Sequence, residues 1–297
     1  MARAFGNALE EIRTAWARID RDVAAERADA ATREPAGGEG PGPGAIQTLG
    51  YDRRPAIVYC VGAALLLGME TFGYAPTWRA LVRAVADSRE DGGLELALRF
   101  SPWSELYEFA WWTGVRAIGF FLLPLLVIKL SGARVRDQGV SMVGLRRHLP
   151  IYLWLYLAVL PLVIGVSFRE DFASYYPFYQ QASRSWFDLL AWELMYAFQF
   201  FCLEFFFRGW WLTFPRAALG SQAIFPMVVP YAMIHLGKPL PEALSSIVAG
   251  IVLGTLAMRT RSIWGGVFLH VAVAWTMDAA ALARGPGLPT AWWPVSP

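Results

Sequence analysis

Glu204, Arg208, His235 and His270 are the residues of this sequence whose types could do chemistry, because each is ionisable and each falls in a long apolar run. Glu193 and Asp278 share that setting, as do Arg116 and Glu70 nearer the N-terminus. Placing a charge in an apolar layer costs about 2.5–3.5 kcal/mol on insertion scales, so a residue kept there has a partner or a task. Glu204 and Arg208 stand at i and i+4 with the acid first, the order that favours an ion pair along a helix. Mutual neutralisation is the plain reading of that pair. The chain contains three histidines, and two of them, His235 and His270, lie in separate apolar runs. A lone histidine in such a run is most often a packed, hydrogen-bonded core residue. Two of them with a carboxylate from a third run form a set able to activate water, by direct proton abstraction or through a bound metal. As zinc ligands the set would be Glu204, His235 and His270, although no HExxH spacing places two of them on one helix. Glu193 lies three turns before Glu204 and on nearly the same face. Asp278, two turns beyond His270, reads most simply as an interfacial residue near the end of the last run.

Composition says which elements must carry these residues. Of 297 residues, 56% are hydrophobic and 17% are charged, against about 25% charged in a soluble domain. An apolar content of that size suits several spans of ~20 residues each and disfavours a soluble fold. Fourteen Trp, 19 Phe and 11 Tyr exclude a disordered chain. A net charge of +2 gives no reason to expect a nucleic-acid partner. Cys60 and Cys202 both sit in apolar runs and read as buried small hydrophobes rather than a disulfide framework.

The expected fold is all-α, a polytopic membrane bundle of about seven spans, near 56–75, 106–130, 150–168, 187–214, 222–237, 243–258 and 262–281. The fifth and sixth are short for a ~30 Å hydrocarbon layer and the fourth is long, which predicts a broken, tilted or protein-buried helix. Ahead of them Phe5, Leu9, Ile12, Trp16, Ile19 and Val23 form one apolar seam at heptad spacing, predicting an amphipathic helix over 1–34. Its polar face mixes acids with arginines, so the seam suits the body of the protein or a partner helix, including self-association through 5–23, better than a lipid surface. Pro35 to Gly44 then reads as a flexible linker within 35–54. Residues 55–186 hold the first spans, 187–281 the segment with Glu204, Arg208, His235 and His270, and 282–297 a tail. Lys and Arg are commoner in the segments on the N-terminal side, mainly through residues 1–55, which predicts a cytosolic N-terminus. His235 precedes Gly237, Pro239 and Pro241, so it lies within a turn of a helix end where water can enter; Glu242 caps the helix that follows.

The set of motifs resembles a known family. Leu203-Glu204-Phe205-Phe206-Phe207-Arg208-Gly209, Tyr231 to His235, Gly250 to Gly254 and Arg259 to Trp264 leading to His270 resemble the CPBP family. These are the CAAX prenyl endopeptidase-like and bacteriocin-processing intramembrane proteases, also called the ABI family. The resemblance covers about residues 187–281. It implies an integral protein of a bacterial inner membrane that hydrolyses a peptide bond of a membrane-associated substrate, CAAX-like or leader-peptide, within the lipid bilayer. It implies no cofactor. Glu204 would occupy the second glutamate of the family motif, Arg208 its arginine, His235 the second-motif histidine and His270 the third-motif histidine. Glutamate with histidine would activate water, and the late histidine would support the oxyanion. The chain departs from the pattern at Leu203, which replaces the first glutamate, at Tyr231, which replaces a phenylalanine, and at Ala274, where the third motif has a polar residue. Asp278, one turn further along the same face, is the candidate substitute. An inactive member serving as a membrane binding or scaffold protein, and a metal-dependent hydrolase, are the other readings.

Overall fold

The computed structural model describes residues 2–33, 53–89 and 92–294, so the Pro/Gly-rich linker lies outside the described residues. Among these residues all regular structure is helical. In chain order the principal helices are α1 (Ala2–Arg33), α2 (Arg54–Phe72), α3 (Ala75–Ser88), α4 (Gly92–Arg99), α5 (Ser104–Leu130), α6 (Leu145–Val166), α7 (Trp186–Trp211), α8 (Ile224–Met233), α9 (Leu240–Thr260) and α10 (Trp264–Arg284). The helices α2, α5, α6, α7, α9 and α10 are each long and apolar enough to cross a membrane. Many of their large apolar side chains face outward, among them Leu67, Leu130, Trp154, Leu162 and Leu194. An outward apolar surface on a helical bundle is what a lipid solvent selects. Cys60 follows that rule and corrects the sequence expectation, because it is exposed on α2 while Cys202 is buried.

The chain divides into two compact units. The first comprises Met1–Ala63, Arg136–Ser141 and Phe207–Ser262. In it α1 settles the alternatives left by its apolar seam: Ile19 and Val23 are buried on its own unit. Trp16 packs edge-on against Phe225 at 5.3 Å and donates to Thr255 Oγ1 at 3.0 Å. Asp20 accepts from the Ser221 amide and hydroxyl, and Glu26 pairs with both Arg216 and Arg261. The C-terminal half of the seam thus packs on this chain, whereas Leu9 remains exposed.

The Glu26 contacts also explain the short fifth run. Expected as a span over 222–237, it is a helix of ten residues, about 15 Å long, and does not qualify by length. Yet Arg216, just after α7, and Arg261, just after α9, meet the same Glu26. The segment between α7 and α9 must therefore return along the length of α9. The ten helical residues are followed by turns over Ile234 to Gly237, which lead back to the start of α9. Close approach of α8 to α9 depends on Gly250, where a Cβ would lie 3.1 Å from Val228 and 3.2 Å from the Tyr231 ring.

The second unit comprises Ala64–Val135, Met142–Phe206 and Ile263–Pro297. Its core is an aromatic stack on α7 in which Trp192, Tyr196 and Phe200 follow one another at i+4, joined by Phe109 and Tyr179. Helix α10 packs against α6 and α7, with Tyr156 and Thr276 hydrogen bonded at 2.8 Å. Its Gly265 leaves room for the Tyr152 ring.

Candidate functional site

The helix that carries Glu204 is pinned at its start. Ser185 accepts from the Asp188 amide at 3.1 Å, and the Trp186 and Phe187 amides donate to the carbonyls of Ala291 and Trp292 in the tail. Those are the donors that a helix N-terminus otherwise leaves unmet. Asp188 is fully buried and accepts from Ser185, Tyr179 and Arg184 at 2.6–2.9 Å. Burial and the bond to this carboxylate push the Tyr179 phenol well above its usual range. From that anchor α7 runs as a regular helix to Glu204 and then widens into a π-helical stretch, Phe205–Trp211, which contains Arg208. Such widened turns recur at functional positions.

Glu204 has no exposed surface. Opposite it stands Gly266, where a Cβ would collide with the carboxylate, lying 2.7 Å from Cδ. Only glycine leaves the acid its place. One turn along α10, His270 Nδ1 lies 2.8 Å from Glu204 Oε1 and 3.1 Å from the Gly266 carbonyl. Both partners are acceptors, so Nδ1 carries the hydrogen and the neutral ring keeps its lone pair on Nε2. The ring is stacked on Phe200 with centroids 5.3 Å apart and planes at 18°. A buried carboxylate that fixes an imidazole in this tautomer also stabilises the imidazolium that forms when Nε2 takes a proton. The histidine side chain retains 17% exposure against 1% for the acid.

A second constellation is built in the first unit. Arg208 is fully buried with its guanidinium over the Tyr231 ring at 4.0 Å. Tyr231 is edge-on to Phe207 and to His235, at 5.4 Å and 4.9 Å. His235 Nδ1 donates to the Tyr231 carbonyl at 2.8 Å, which again leaves Nε2 as the basic nitrogen. Glu242, in the first turn of α9, pairs with Lys238 at 2.6 Å and bridges the loop after His235 to that helix. The capping expected of Glu242 is not seen: the helix is preceded by Pro239 without a side-chain cap, and the Glu242 carboxylate turns to Lys238.

The structure therefore brings Glu204 to His270, and Arg208 to Tyr231 and His235. Asp278 has a different partner: it is fully buried and accepts from Trp192 Nε1 at 2.7 Å. Two turns of α10, about 12 Å, separate it from His270. Glu193 has a buried Oε2 without a hydrogen-bond partner among the described residues. Glu70 accepts from the Tyr74 hydroxyl, and Arg116 lies over Trp112 at 4.2 Å. No three His, Cys, Asp or Glu side chains gather as a metal site would need among the described residues.

Gly266, Phe200 and Asp188 were missed by motif reasoning. A glycine four residues before a histidine on one helix, Gly266 to His270, is a usable signal, because the i−4 carbonyl is the natural acceptor for Nδ1. The Ser185-x-x-Asp188 spacing preceded by Arg184 is another, since it is a capping pattern at the mouth of an apolar run. Nothing in the sequence marks Phe200 among so many aromatics.

Residues 184–276 match the family model for type II CAAX prenyl endopeptidase Rce1-like proteins. The matched segment takes in Glu204, Arg208, Tyr231, His235, Glu242 and His270 and ends before Asp278. No curated protein and no solved structure shows significant similarity to the chain.

Proposed function

We propose that the Rce1-like domain of this helical membrane protein is an active endopeptidase that cleaves a peptide bond of a membrane-associated substrate, CAAX-like or leader-peptide. The family is a protease family; the mechanism and the residue roles are our reading. The observation that carries it is the 2.8 Å contact between the buried Glu204 carboxylate and His270 Nδ1. Hydrolysis needs a base to take a proton from water and an acid to return one to the leaving amine. His270 Nε2 suits both tasks, since its ring keeps some exposure while Glu204 keeps none. Water gives its proton to Nε2 as its oxygen attacks the carbonyl carbon; the imidazolium is held beside Glu204 and then protonates the departing nitrogen. We favour this pairing over direct proton abstraction by Glu204, the simpler expectation from the sequence, because the acid is enclosed. His235 and Arg208 retain the roles implied by the family resemblance, assisting proton transfer and supporting the developing charge.

The test is turnover by the detergent-purified protein on prenylated CAAX peptides and leader peptides, compared with Glu204→Gln, His270→Ala and His235→Ala. Loss of cleavage in the first two supports the dyad, and equal turnover in all four proteins refutes it. A second reading, a scaffold that binds without cleaving, is favoured by Leu203, a buried apolar residue at the position of the first motif glutamate. Under that reading the wild type is inert and Leu203→Glu gains cleavage.

A further inference from the structure

The connection between α2 and α5 builds a cleft that the proteolytic reading does not use. It measures about 440 Å³ and lies among α3, α4 and the first turns of α5. Arg79, Arg83 and Arg99 line it, together with Glu95, Glu108 and Ser104. Arg79 is closely paired with Glu108 at 2.6 Å, but the Arg83 Nε to Glu95 contact is long, 3.5 Å. Arg99 has no carboxylate partner among the described residues and lies 5.8 Å from the Phe100 ring centroid. Three guanidinium groups against two carboxylates leave one positive charge in excess. The exposed arginines have donors to spare, and guanidinium donors match phosphate oxygens in pairs.

The depth of the cleft follows from its neighbours. Glu108 is one turn inside α5, and the next turn carries Trp111 and Trp112. Trp111 donates to the Phe72 carbonyl at the end of α2 and packs on Trp78 at 5.9 Å. At the same end of the unit Trp103 packs on Phe187, and Trp186 packs on Trp292. Tryptophan gathered at helix ends marks the membrane–water interface. Leu81, Leu96 and Phe100 project outward from α3, α4 and the turn that follows, as apolar residues of a surface-lying hairpin do. The arginines thus sit at the level where phosphates of the bilayer reside.

We propose that this cleft binds a phosphate group, Arg83 and Arg99 supplying the donors and the Trp78–Trp111 layer setting its depth, with an anionic phospholipid headgroup as the source. The experiment is thermal unfolding of the full chain in detergent with added dioleoyl phosphatidylglycerol, dioleoylglycerol or inorganic phosphate. At about a hundredfold excess over Kd, phosphatidylglycerol raises the midpoint by roughly 3–6 °C, and dioleoylglycerol, with the same tails and no phosphate, does not. The variants R83Q and R99Q spare the Arg79–Glu108 pair, unfold at the wild-type midpoint without lipid and lose the shift. A shift with inorganic phosphate alone keeps the site and reassigns its source to soluble phosphate. Equal shifts in wild type and variants, or with both lipids, overturn the proposal.

Discussion

Two carboxylates of the same unit make an instructive pair. Glu204 and Asp278 are both fully buried, and each has one nitrogen at short range, His270 Nδ1 at 2.8 Å and Trp192 Nε1 at 2.7 Å. The partner of Glu204 is an imidazole, which can gain a second proton; that of Asp278 is an indole N–H, which cannot. One acid therefore lies beside a group able to take up a proton, while the other is bonded to a permanently neutral one. Burial and contact distance, the features usually quoted for a site, do not separate them. The chemistry of the partner does, and it is the ground on which we propose proton transfer at Glu204 and a structural role for Asp278.

The sharpest way to break that contrast is to remove the proton-carrying partner. His270→Ala and Glu204→Gln are each expected to lower kcat by about 10²–10⁴-fold, measured on the best peptide substrate, while Asp278→Ala leaves kcat per folded molecule within a few-fold of wild type. A comparable loss in Asp278→Ala would erase the distinction. Next in size is Gly266→Ala, whose new methyl group displaces the Glu204 carboxylate from His270. Overpacking costs about 1–3 kcal/mol, and a misplaced acid lowers kcat on the order of 10²-fold. Asp278→Ala has its own signature, because it leaves the Trp192 N–H buried without an acceptor: a loss of about 1–3 kcal/mol in unfolding free energy with kinetics preserved.

How much of this was legible in the sequence differs between fold and site. The helical membrane architecture follows from apolar run lengths, and α1 from its heptad. The short α8 differs from the expected span because 222–234 is apolar throughout most of its length, and hydropathy does not register that the turns over Ile234 to Gly237 end the helix early. Glu204 and His270 were legible as ionisable residues in apolar runs. Their pairing was not, since it depends on Gly266 letting α7 and α10 approach, and a missing Cβ has no meaning until the facing helix is known. Asp278 was given a supporting role on the helix face it shares with His270. Its bond to Trp192 lies on the other side of an 86-residue loop, beyond the reach of periodicity.

A third carboxylate extends the comparison to its weak limit. Glu26 on α1 is 45% exposed and meets two guanidinium groups, Arg216 at 3.0 Å and Arg261 at 2.5 Å. Partial burial pushes its carboxyl up, but the charge of Arg216 and the bond and charge of Arg261 outweigh that, so it lies below the usual carboxylate value of 4.5. A depressed acid stabilises the folded state above its unfolded pKa, and that contribution disappears as pH falls through the folded pKa. At neutral pH the pairs are intact, and their loss is confined to the acid side of pH 4.5. Because the group is open to solvent and salt, Glu26→Gln is expected to cost only about 0.2–1 kcal/mol at pH 7. The cost should shrink in high salt and fall away as the pH is taken below 4.5 through the folded pKa, followed by thermal unfolding. Proteolytic turnover should stay unchanged, because Glu26 has no part in the proposed proton transfer. If Glu26→Gln instead shifted the pH profile of turnover, donor chemistry would no longer distinguish the acids of this protein.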